Sequence, residues 1–470
     1  MSVKYVALGA TDVIGASCHY LDIEGTGVVL DAGADPEEEG MASVPRLDLI
    51  ADHPDRHLDH AIVTHAHHDH LGSVPVLIRQ FPHVQVHMTK VTQRLADLLL
   101  PASARLQRRR LMEGSSEASP LFDEEELEMQ SYVHLGHDYE QPFEVSGVRA
   151  NVPVEATFYD AGHVLGSSSV LLSYETPEGD TRRLFYTSDI NLRAQTIIPA
   201  ASLPDEPIDV LLLETTLGAD PKAELTTRRT EEKRFGESIA RVLDRGGTVL
   251  IPVFALGRAQ EILALIGRYK DRGIIPNRIP VYTAGSMRAI ADVYDKSRYA
   301  TPRLNNDFEV FGVSQRRLPR SNQRTREALR EPSIHVVASG MMFERTISNR
   351  LAQVVVEEEN NAIFLVGYTR EDAPAGALLA AAASDDPEAE VTLDRLVGPQ
   401  PLKCEVDRFR FSGHSHRRDL IQLVEELGPK KVLLVHGESE ARTWMADNIG
   451  FFYPDVEVIS AGLGEEVELL

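Results

Sequence analysis

The chain has 470 residues, 43% of them hydrophobic, and is long enough for two or three lobes. Its formal net charge of −24 makes it too acidic to attract nucleic acid at long range. No run approaches the roughly 18 to 20 apolar residues of a membrane-spanning helix and MSVKYVALGA is no secretory leader, so we expect a cytoplasmic protein without a membrane partner. The only cysteines, Cys18 and Cys404, exclude a disulfide framework and leave any metal site to histidine and carboxylate ligands.

The N-terminal part of the chain predicts strands followed by ligand-bearing loops. Apolar runs alternate with Gly and Asp turns over the first 35 residues, which is typical of hairpins. The stretch AIVTHAHHDHLGSVPVLIRQF predicts a strand over 61–64, a histidine-rich loop and a helix. Leucine spacing from Val91 to about Met112 predicts one or two amphipathic helices, broken near Pro101. The acidic residues 123–128 are expected to be exposed.

Later segments predict two kinds of sheet. Strands are expected within 148–174, 182–190 and 208–216. Residues 230–273 then predict helix, strand, helix, and the runs IPVYTAG, IHVVASG and AIFLVGY each predict a short strand ending in glycine. This alternation indicates a parallel sheet with helices on its faces. A helix over 417–427 and the strand KKVLLV follow.

The loop THAHHDHLG carries the pattern H-x-H-x-D-H in His65, His67, Asp69 and His70. Imidazole nitrogen and carboxylate oxygen both bind zinc at about 2.0 to 2.2 Å. Since two of these side chains can turn to one cation while the other two face another, a single loop can begin two metal sites. His68 falls outside the pattern.

Three later segments offer the missing ligands. His163 lies in AGHVLGSSS, Asp189 ends the strand in FYTSDINL, and His436 follows the strand in LLVHGES. Each alone is more simply read as an ordinary loop histidine, turn residue or cap. Only the set indicates a metal centre.

In chain order these motifs resemble those of the metallo-β-lactamase superfamily, and Asp31 in VVLDAG resembles its early structural aspartate. LLLETT with Glu214, FSGH with His414 and VHGE with His436 resemble three further motifs of its β-CASP branch, the nucleic-acid-processing nucleases. The resemblance runs from about Leu8 to Glu438.

The resemblance implies an α/β fold: a metallo-β-lactamase αβ/βα four-layer sandwich with an inserted β-CASP α/β domain. We expect residues 1–210 and 399–470 to form the sandwich and 211–398 the inserted domain. An insertion is required because His436 has to return to a site that His65 begins.

The same resemblance implies two Zn²⁺ ions per chain. His65, His67 and His163 would hold one ion, Asp69, His70 and His436 the other, and Asp189 would bridge them. The expected catalytic residues are Asp69, Glu214 and His414. Asp31 is expected to orient the loop histidines without binding metal.

Substrate contacts are expected from a second group of residues. Arg258 in FALGR could hold a phosphate bidentately or form a structural salt bridge. Hydroxyl and backbone N–H groups of Ser339, Gly340, Ser412 and Gly413 could face phosphates. Two arginine-rich stretches are either basic binding surfaces or solvated faces. They are residues 108–110 and the segment with Arg316, Arg317, Arg320, Arg324, Arg326 and Arg330.

These residues and the family resemblance predict a zinc-dependent ribonuclease acting on single-stranded RNA in processing or decay, as an endonuclease or a 5′-3′ exonuclease and with a homodimer as its expected assembly. The alternatives are a DNA-directed nuclease, a small ester or thioester hydrolase, and a non-catalytic subunit. The chain also departs from the family pattern, with Ser188 where many relatives have glycine and Ala377 where an arginine is expected.

Overall fold

The structure is a computed structural model that describes residues 2–319, 321–384, 386 and 388–470; Arg320 of the arginine-rich stretch lies outside them. The chain forms two compact units. The first consists of residues 1–194, 200–221 and 414–470, and the second of 195–199 and 222–413. Within the described residues no helix is long and apolar enough to cross a membrane.

The elements alternate along the chain as follows. The first segment holds strands β1 (Val3–Ala7), β2 (His19–Ile23), β3 (Thr26–Leu30), β4 (His60–Ile62), β5 (Gln85–Thr89), β6 (His134–His137), β7 (Phe143–Glu144), β8 (Val154–Asp160), β9 (Ser168–Glu175), β10 (Thr181–Tyr186) and β11 (Val210–Glu214). Its helices are α1 (Asp48–Ala51), α2 (His68–Leu71), α3 (Val74–Gln80), α4 (Lys90–Met112) and α5 (Glu124–Gln130).

The middle segment holds strands β12 (Val249–Pro252), β13 (Val281–Thr283), β14 (Arg316–Arg317), β15 (Ile334–Val337), β16 (Ala362–Leu365), β17 (Glu390–Thr392), β18 (Pro399–Pro401) and β19 (Glu405–Arg408). Its helices are α6 (Arg228–Asp244), α7 (Arg258–Asp271), α8 (Met287–Lys296), α9 (Asn322–Ala328), α10 (Ile347–Val355) and α11 (Pro374–Ala382). The last segment holds α12 (Arg417–Leu427), β20 (Lys431–Val435), α13 (Ser439–Phe452), β21 (Glu457–Ile459) and β22 (Glu466–Glu468).

The first unit contains two seven-stranded sheets, ordered β22-β1-β2-β3-β4-β5-β6 and β21-β20-β11-β10-β9-β8-β7. Alternate residues of both sheets, such as Leu21 and Leu172, enter one shared core, because successive strand side chains point to opposite faces. The other face of the second sheet packs Leu213 against Leu420 and Met445 of the C-terminal helices. The expected four-layer sandwich is confirmed.

The last segment returns to the first unit through β20. This strand pairs in parallel with β11, and the register places Val435 opposite Glu214. His436 therefore follows β20 at the strand edge where β11 ends.

The second unit is built on a six-stranded sheet ordered β14-β13-β15-β12-β16-β19, in which every pair is parallel. The expected parallel sheet is confirmed. This unit also takes in Gln195–Pro199, which the sequence prediction placed in the first domain. The buried Glu261 carboxylate accepts hydrogen bonds from the backbone N–H groups of Thr196, Ile197 and Ile198, which ties this segment to α7.

Helix α4 corrects the expected break near Pro101, since it continues from Lys90 to Met112. Proline removes one backbone hydrogen bond and kinks an unsupported helix. Here Leu100 and Ala104 are buried on either side of Pro101, so packing holds both halves in line. Its C-terminal turns do not pack as expected: Leu106 and Leu111 are each 39% exposed.

Three histidines form a chain across neighbouring strands of the first sheet. His60 Nδ1 lies 3.0 Å from His87 Nε2, and His87 Nδ1 lies 3.0 Å from His137 Nε2. Burial, with the two neighbouring histidines, lowers the pKa of His87 from 6.5 to about 3. This ring is therefore neutral in the folded protein at all but strongly acidic pH.

We expect the free energy of unfolding to decrease as the pH falls below about 6.5, because unfolded His87 then takes up a proton that folded His87 refuses. The stability contributed by the neutral ring is complete above that pH and is lost as the pH falls toward 3, with about 2 kcal/mol gone by about pH 5. Urea unfolding at several pH values should show a shallower acid slope for His87→Phe, whereas the exposed control His83→Gln keeps the wild-type slope. Equal slopes in His87→Phe and wild type would contradict this account.

Candidate functional site

The first histidine cluster forms where β4 gives way to α2. His65 Nε2 lies 3.1 Å from His67 Nδ1, which lies 3.2 Å from His163 Nε2 in the loop before β9. His65 is fully buried, and burial, reinforced by the neighbouring histidines, lowers its pKa well below 6.5. A neutral imidazole is the form that binds a metal ion.

The second cluster consists of Asp69, His70 and His436, whose ligand atoms lie within 4.8 Å of one another. His436 Nε2 is 3.6 Å from Asp69 Oδ2. Burial lowers the pKa of His70, but the carboxylates of Asp189 and Asp31 outweigh burial and raise the pKa to about 10. The cluster is therefore rich in negative charge, which a cation would neutralise.

Asp189 faces both clusters. Its Oδ2 lies 3.6 Å from His65 Nε2 and 3.5 Å from His163 Nε2, while its Oδ1 lies 3.5 Å from His70 Nε2. Its side chain is 3% exposed. One oxygen thus points toward each cluster, which is the arrangement of a bridging carboxylate.

The donor atoms fit metal ions. Ligands of a tetrahedral zinc with bonds of about 2.0 to 2.1 Å lie about 3.3 Å apart, close to the spacing of the three nitrogens in the first cluster. In the second cluster, Nε2 of His70 and Nε2 of His436 are buried and have no hydrogen-bond partner among the residues described. Buried polar atoms are rarely left so, and a cation satisfies them.

Asp31 holds the ligand loop in place through hydrogen bonds. Its carboxylate accepts hydrogen bonds from the Thr64 N–H at 2.8 Å and the Tyr186 hydroxyl at 2.9 Å, and its Oδ2 lies 2.8 Å from His70 Nδ1. Because Nδ1 of His70 is engaged, Nε2 is the atom turned to the cluster. Asp31 itself is absent from the ligand clusters.

Ser188 stands where many relatives have glycine, and the backbone explains that preference. Its φ is +49°, in the left-handed region that favours glycine. The Ser188 hydroxyl lies 2.6 Å from Thr64 Oγ1, which in turn donates to Asp31. The serine therefore joins the hydrogen-bond network that supports the ligand loop.

The half-buried His414 and the fully buried Glu214 form a pair beside the first cluster. His414 Nδ1 lies 3.2 Å from Glu214 Oε1, and the His414 ring centroid lies 4.6 Å from that of His163. Burial opposes protonation, but the Glu214 carboxylate raises the pKa of His414 from 6.5 to about 9. Glu214 is held in turn by the N–H groups of Ile190 and Thr216.

The expected substrate-binding residues all belong to the second unit. Arg258 begins α7, is 8% exposed, and places Nη1 3.4 Å from Gln195 Oε1. Its alternative role, a salt bridge, is not seen within the described residues. Burial lowers its pKa to about 10, which leaves it charged at neutral pH.

Gly340 lines a surface depression with Phe254, Arg258, Tyr368 and neighbouring residues at the carboxyl ends of the central strands. A Cβ at Gly340 would lie 3.2 Å from the Phe254 ring, so a larger residue would crowd the depression. The hydroxyl of the adjacent Ser339 is buried, and no residue in the described part of the chain hydrogen-bonds to it.

Ser412, half-buried, and Gly413, buried, end the second unit directly before His414. Alone among the histidines of the THAHHDHLG loop, His68 is exposed and joins neither ligand cluster.

Two threonines that sequence reasoning missed hold the His163 loop. The hydroxyls of Thr89 and Thr92, at the start of α4, both donate to the Gly166 carbonyl at 2.7 Å. Gly166 has a φ of +83° and leaves no room for a Cβ, which would lie 2.9 Å from the Thr92 nitrogen. The sequence offered one signal, because Thr89 is typical of a helix N-cap. Nothing in the sequence indicated that its hydroxyl would bind the distant Gly166 carbonyl.

Comparison with protein-family models gives three matches in chain order. Residues 11–172 match the metallo-beta-lactamase superfamily, residues 259–378 match the Beta-Casp domain, and residues 399–459 match the Zn-dependent metallo-hydrolase RNA specificity domain. The chain belongs to the β-CASP branch of the metallo-β-lactamase superfamily. The β-CASP resemblance stated from the motifs is confirmed.

Curated β-CASP relatives cover nearly the whole chain. The RNase J-like protein of Methanocaldococcus jannaschii is 29% identical over 92% of this chain and 91% of its own length. Endoribonuclease YSH1 of Kluyveromyces lactis is 27% identical over 93% of this chain, and cleavage and polyadenylation specificity factor subunit 3-I of Arabidopsis thaliana is 28% identical over 95%. The chain spans 56% and 61% of the length of these two relatives.

A solved structure shows the same fold. It is a protein of unknown function from Enterococcus faecalis V583, with a TM-score of 0.57, 13% identity and full coverage of both chains.

We expect Asp31→Asn to weaken zinc binding by about tenfold or more without removing a ligand. An amide offers one acceptor oxygen in place of two, so Thr64, Tyr186 and His70 compete for it. Competition with a chromogenic chelator measures the affinity. Asp22→Asn, which changes a carboxylate that accepts from the Gly25 N–H of a hairpin, is the control. Unchanged zinc affinity in Asp31→Asn would contradict the positioning role.

Proposed function

We propose that this protein is a zinc-dependent ribonuclease that cleaves single-stranded RNA internally, in RNA processing or decay. The observation that carries the proposal is the joint presence, in one unit, of two ligand clusters spanned by Asp189 and of the His414–Glu214 pair beside them. The relatives named endoribonuclease support internal cleavage.

Two Zn²⁺ ions are the proposed cofactors. His65, His67 and His163 would hold one ion, Asp69, His70 and His436 the other, with Asp189 shared. Bound there, the pair would activate a water molecule and neutralise charge that develops on the phosphate oxygens. The proposed role of Asp69 in the reaction is that of a metal ligand. Its carboxylate adds negative charge to the second cluster.

His414 is the proposed general acid. Glu214 holds its Nδ1 and favours the protonated form, so the proton available for transfer is the one on Nε2. Donation from Nε2 to the leaving sugar oxygen would prevent an unstable alkoxide. Because N–H groups of Ile190 and Thr216 fix both Glu214 oxygens, the imidazole is held in one orientation.

Phosphate binding is proposed for Arg258 and Gly340 at the depression, for the adjacent Ser339, and for Ser412 and Gly413 before the general acid. An arginine with no carboxylate in ion-pair range, within the described residues, has its charge available for a phosphodiester. Among the alternatives, a small ester needs no such added unit, and a non-catalytic subunit typically lacks ligands that are all present here. DNA is the remaining competing substrate.

The RNA specificity domain matched by residues 399–459 supports RNA over DNA. A cytoplasmic location and a homodimer stay predictions from the sequence.

We expect zinc-loaded protein to convert RNA labelled at either end into internal fragments. His414→Ala should lower the rate by about 10²- to 10⁴-fold and keep its zinc, because only proton transfer is lost. His65→Ala should lose zinc and activity together. The exposed His83→Ala is the control for both.

Mononucleotides released from the 5′ end would instead assign exonuclease action, and equal cleavage of DNA would remove the RNA preference. Protein that binds no metal, with neither variant changing the rate, would overturn the proposal.

Arg258→Ala is expected to raise KM for RNA by about 10- to 100-fold, since hydrogen bonds to a charged group contribute about 1.5 to 3 kcal/mol. Arg258→Lys should recover part of this loss, because lysine restores charge without the bidentate geometry. Arg272→Ala, exposed at the far end of the same helix, is the matched control. If KM is unchanged in Arg258→Ala, the Arg258 side chain has a structural role only and does not bind the RNA phosphate.

A further inference from the structure

Arginines are concentrated at one edge of the second unit, although the chain as a whole carries a net charge of −24. Residues 314–331 contain six arginines and two glutamates. We name Arg288, Arg316, Arg317, Arg324 and Arg326 the arginine edge. All but Arg288, which is half-buried, are exposed.

Within the described residues, the arginine edge groups several arginines that lack acidic partners, whereas unpaired arginines elsewhere on the surface, such as Arg149 and Arg350, lie in other parts of the sequence. Elsewhere the chain pairs arginines with carboxylates, as in Arg105–Glu124 at 2.6 Å, Arg193–Asp419 at 2.7 Å and Arg395–Glu344 at 2.9 Å. Among the residues that the structure describes, the five arginines form no ion pair. The one carboxylate of α9, Glu327, accepts from Gln323. Their charges are therefore available to an anion.

Local structure keeps these charges together. Arg316 and Arg317 form β14, the outermost strand of the parallel sheet, and pair with Tyr282 and Thr283. The Thr325 hydroxyl donates to the Pro319 carbonyl, which folds α9 back against the end of β14. Burial, and then the charge of Arg316, lowers the pKa of the Lys270 amine, which donates to the Ile279 carbonyl.

An aromatic ring lies beside the arginines. The Arg288 guanidinium lies 5.1 Å from the centroid of the Phe311 ring, which is 40% exposed. Arg288 also donates to Thr283 beside β14. The nearby Asp295 carboxylate accepts from the N–H groups of Val310 and Phe311 and so is already engaged. Arginines beside an exposed aromatic ring are the combination that binds single-stranded nucleic acid, through phosphates and a stacked base.

The arginine edge shares a border of the sheet with the depression at Arg258 and Gly340. Because neighbouring strands are parallel, their carboxyl ends meet at one border, and β14 lies three strand spacings from β12. At about 4.8 Å per strand this is about 14 Å, the length of about four stacked nucleotides. An RNA strand bound at the depression reaches the arginine edge with few further nucleotides.

We propose that the arginine edge, with Phe311, is a second binding surface for single-stranded RNA, additional to the depression at Arg258 and Gly340. The ligand class rests on the proposed ribonuclease function, and the surface itself rests on its unpaired charges and its aromatic ring. It gives an acidic protein a local means to retain long RNA.

The test compares oligouridylates of about 30 and about 5 nucleotides, measured by fluorescence anisotropy on zinc-loaded protein that carries His414→Ala so that RNA stays intact. The triple change Arg316→Ala, Arg317→Ala, Arg324→Ala should weaken binding of the long RNA by about tenfold or more. It should also reduce the slope of log affinity against log salt by about 2, and leave the short RNA unaffected. Phe311→Leu should weaken binding without changing the salt slope.

The matched control is Arg149→Ala, Arg229→Ala, Arg350→Ala, three exposed arginines with the same loss of charge. Thermal unfolding of both triple variants checks that the fold is kept. Long-RNA affinity and salt slope that are the same in the two triple variants would overturn the proposal. The proposal would also be overturned if the arginine-edge variant lost binding to an acidic peptide but kept its binding to RNA. That result would assign the surface to a protein partner.

Failure of this inference and failure of the proposed function have different signatures. If wild-type protein cleaves RNA while the arginine-edge variant binds it normally, only the second surface is wrong. If wild-type protein does not cleave RNA but binding depends on the arginine edge, the ribonuclease proposal is wrong and the binding surface holds.

Discussion

The candidate site depends on the parallel pairing of β11 with β20, two strands more than 200 residues apart in sequence. This pairing places Glu214 opposite Val435 and so brings His436 to the histidines that follow β4. Without it the second cluster lacks a ligand. Because a parallel pair requires a crossover connection, the chain has room to build the whole second unit between the two strands.

A single buried carboxylate, Asp31, then determines how the ligands are presented. It holds the backbone at Thr64 after β4, the ring of His70 in α2 and the hydroxyl of Tyr186 at the end of β10. A buried charge with few donors is costly, whereas one with several hydrogen bonds is stable and directional. The ligand loop therefore owes its shape to a residue that is absent from the clusters.

Charge is distributed unevenly over this acidic chain. Carboxylates neutralise many surface arginines, and such exposed pairs contribute little to stability. Among the described residues, arginines that both lack partners and lie together are thus the ones whose placement carries information about ligands. Arg258 follows β12 and the arginine edge includes β14, two strands of the same parallel sheet, whose carboxyl ends meet at one border.

The sequence by itself determined the family resemblance through its motifs, and that resemblance implied the four-layer sandwich. The alternation of short strands and helices predicted the parallel sheet, because such alternation is a local property of the chain. The groups of His65, His67 and His163 and of Asp69, His70 and His436 were also predicted, and the structure brings each group together. Only the tertiary structure decided that one Asp189 oxygen faces each cluster, and that Gln195–Pro199 joins the second unit. It also decided that α4 continues through Pro101, and that Thr89 and Thr92 support the His163 loop. The physical reason is common to all four: they depend on packing and hydrogen bonds between residues far apart in sequence, which no local pattern encodes.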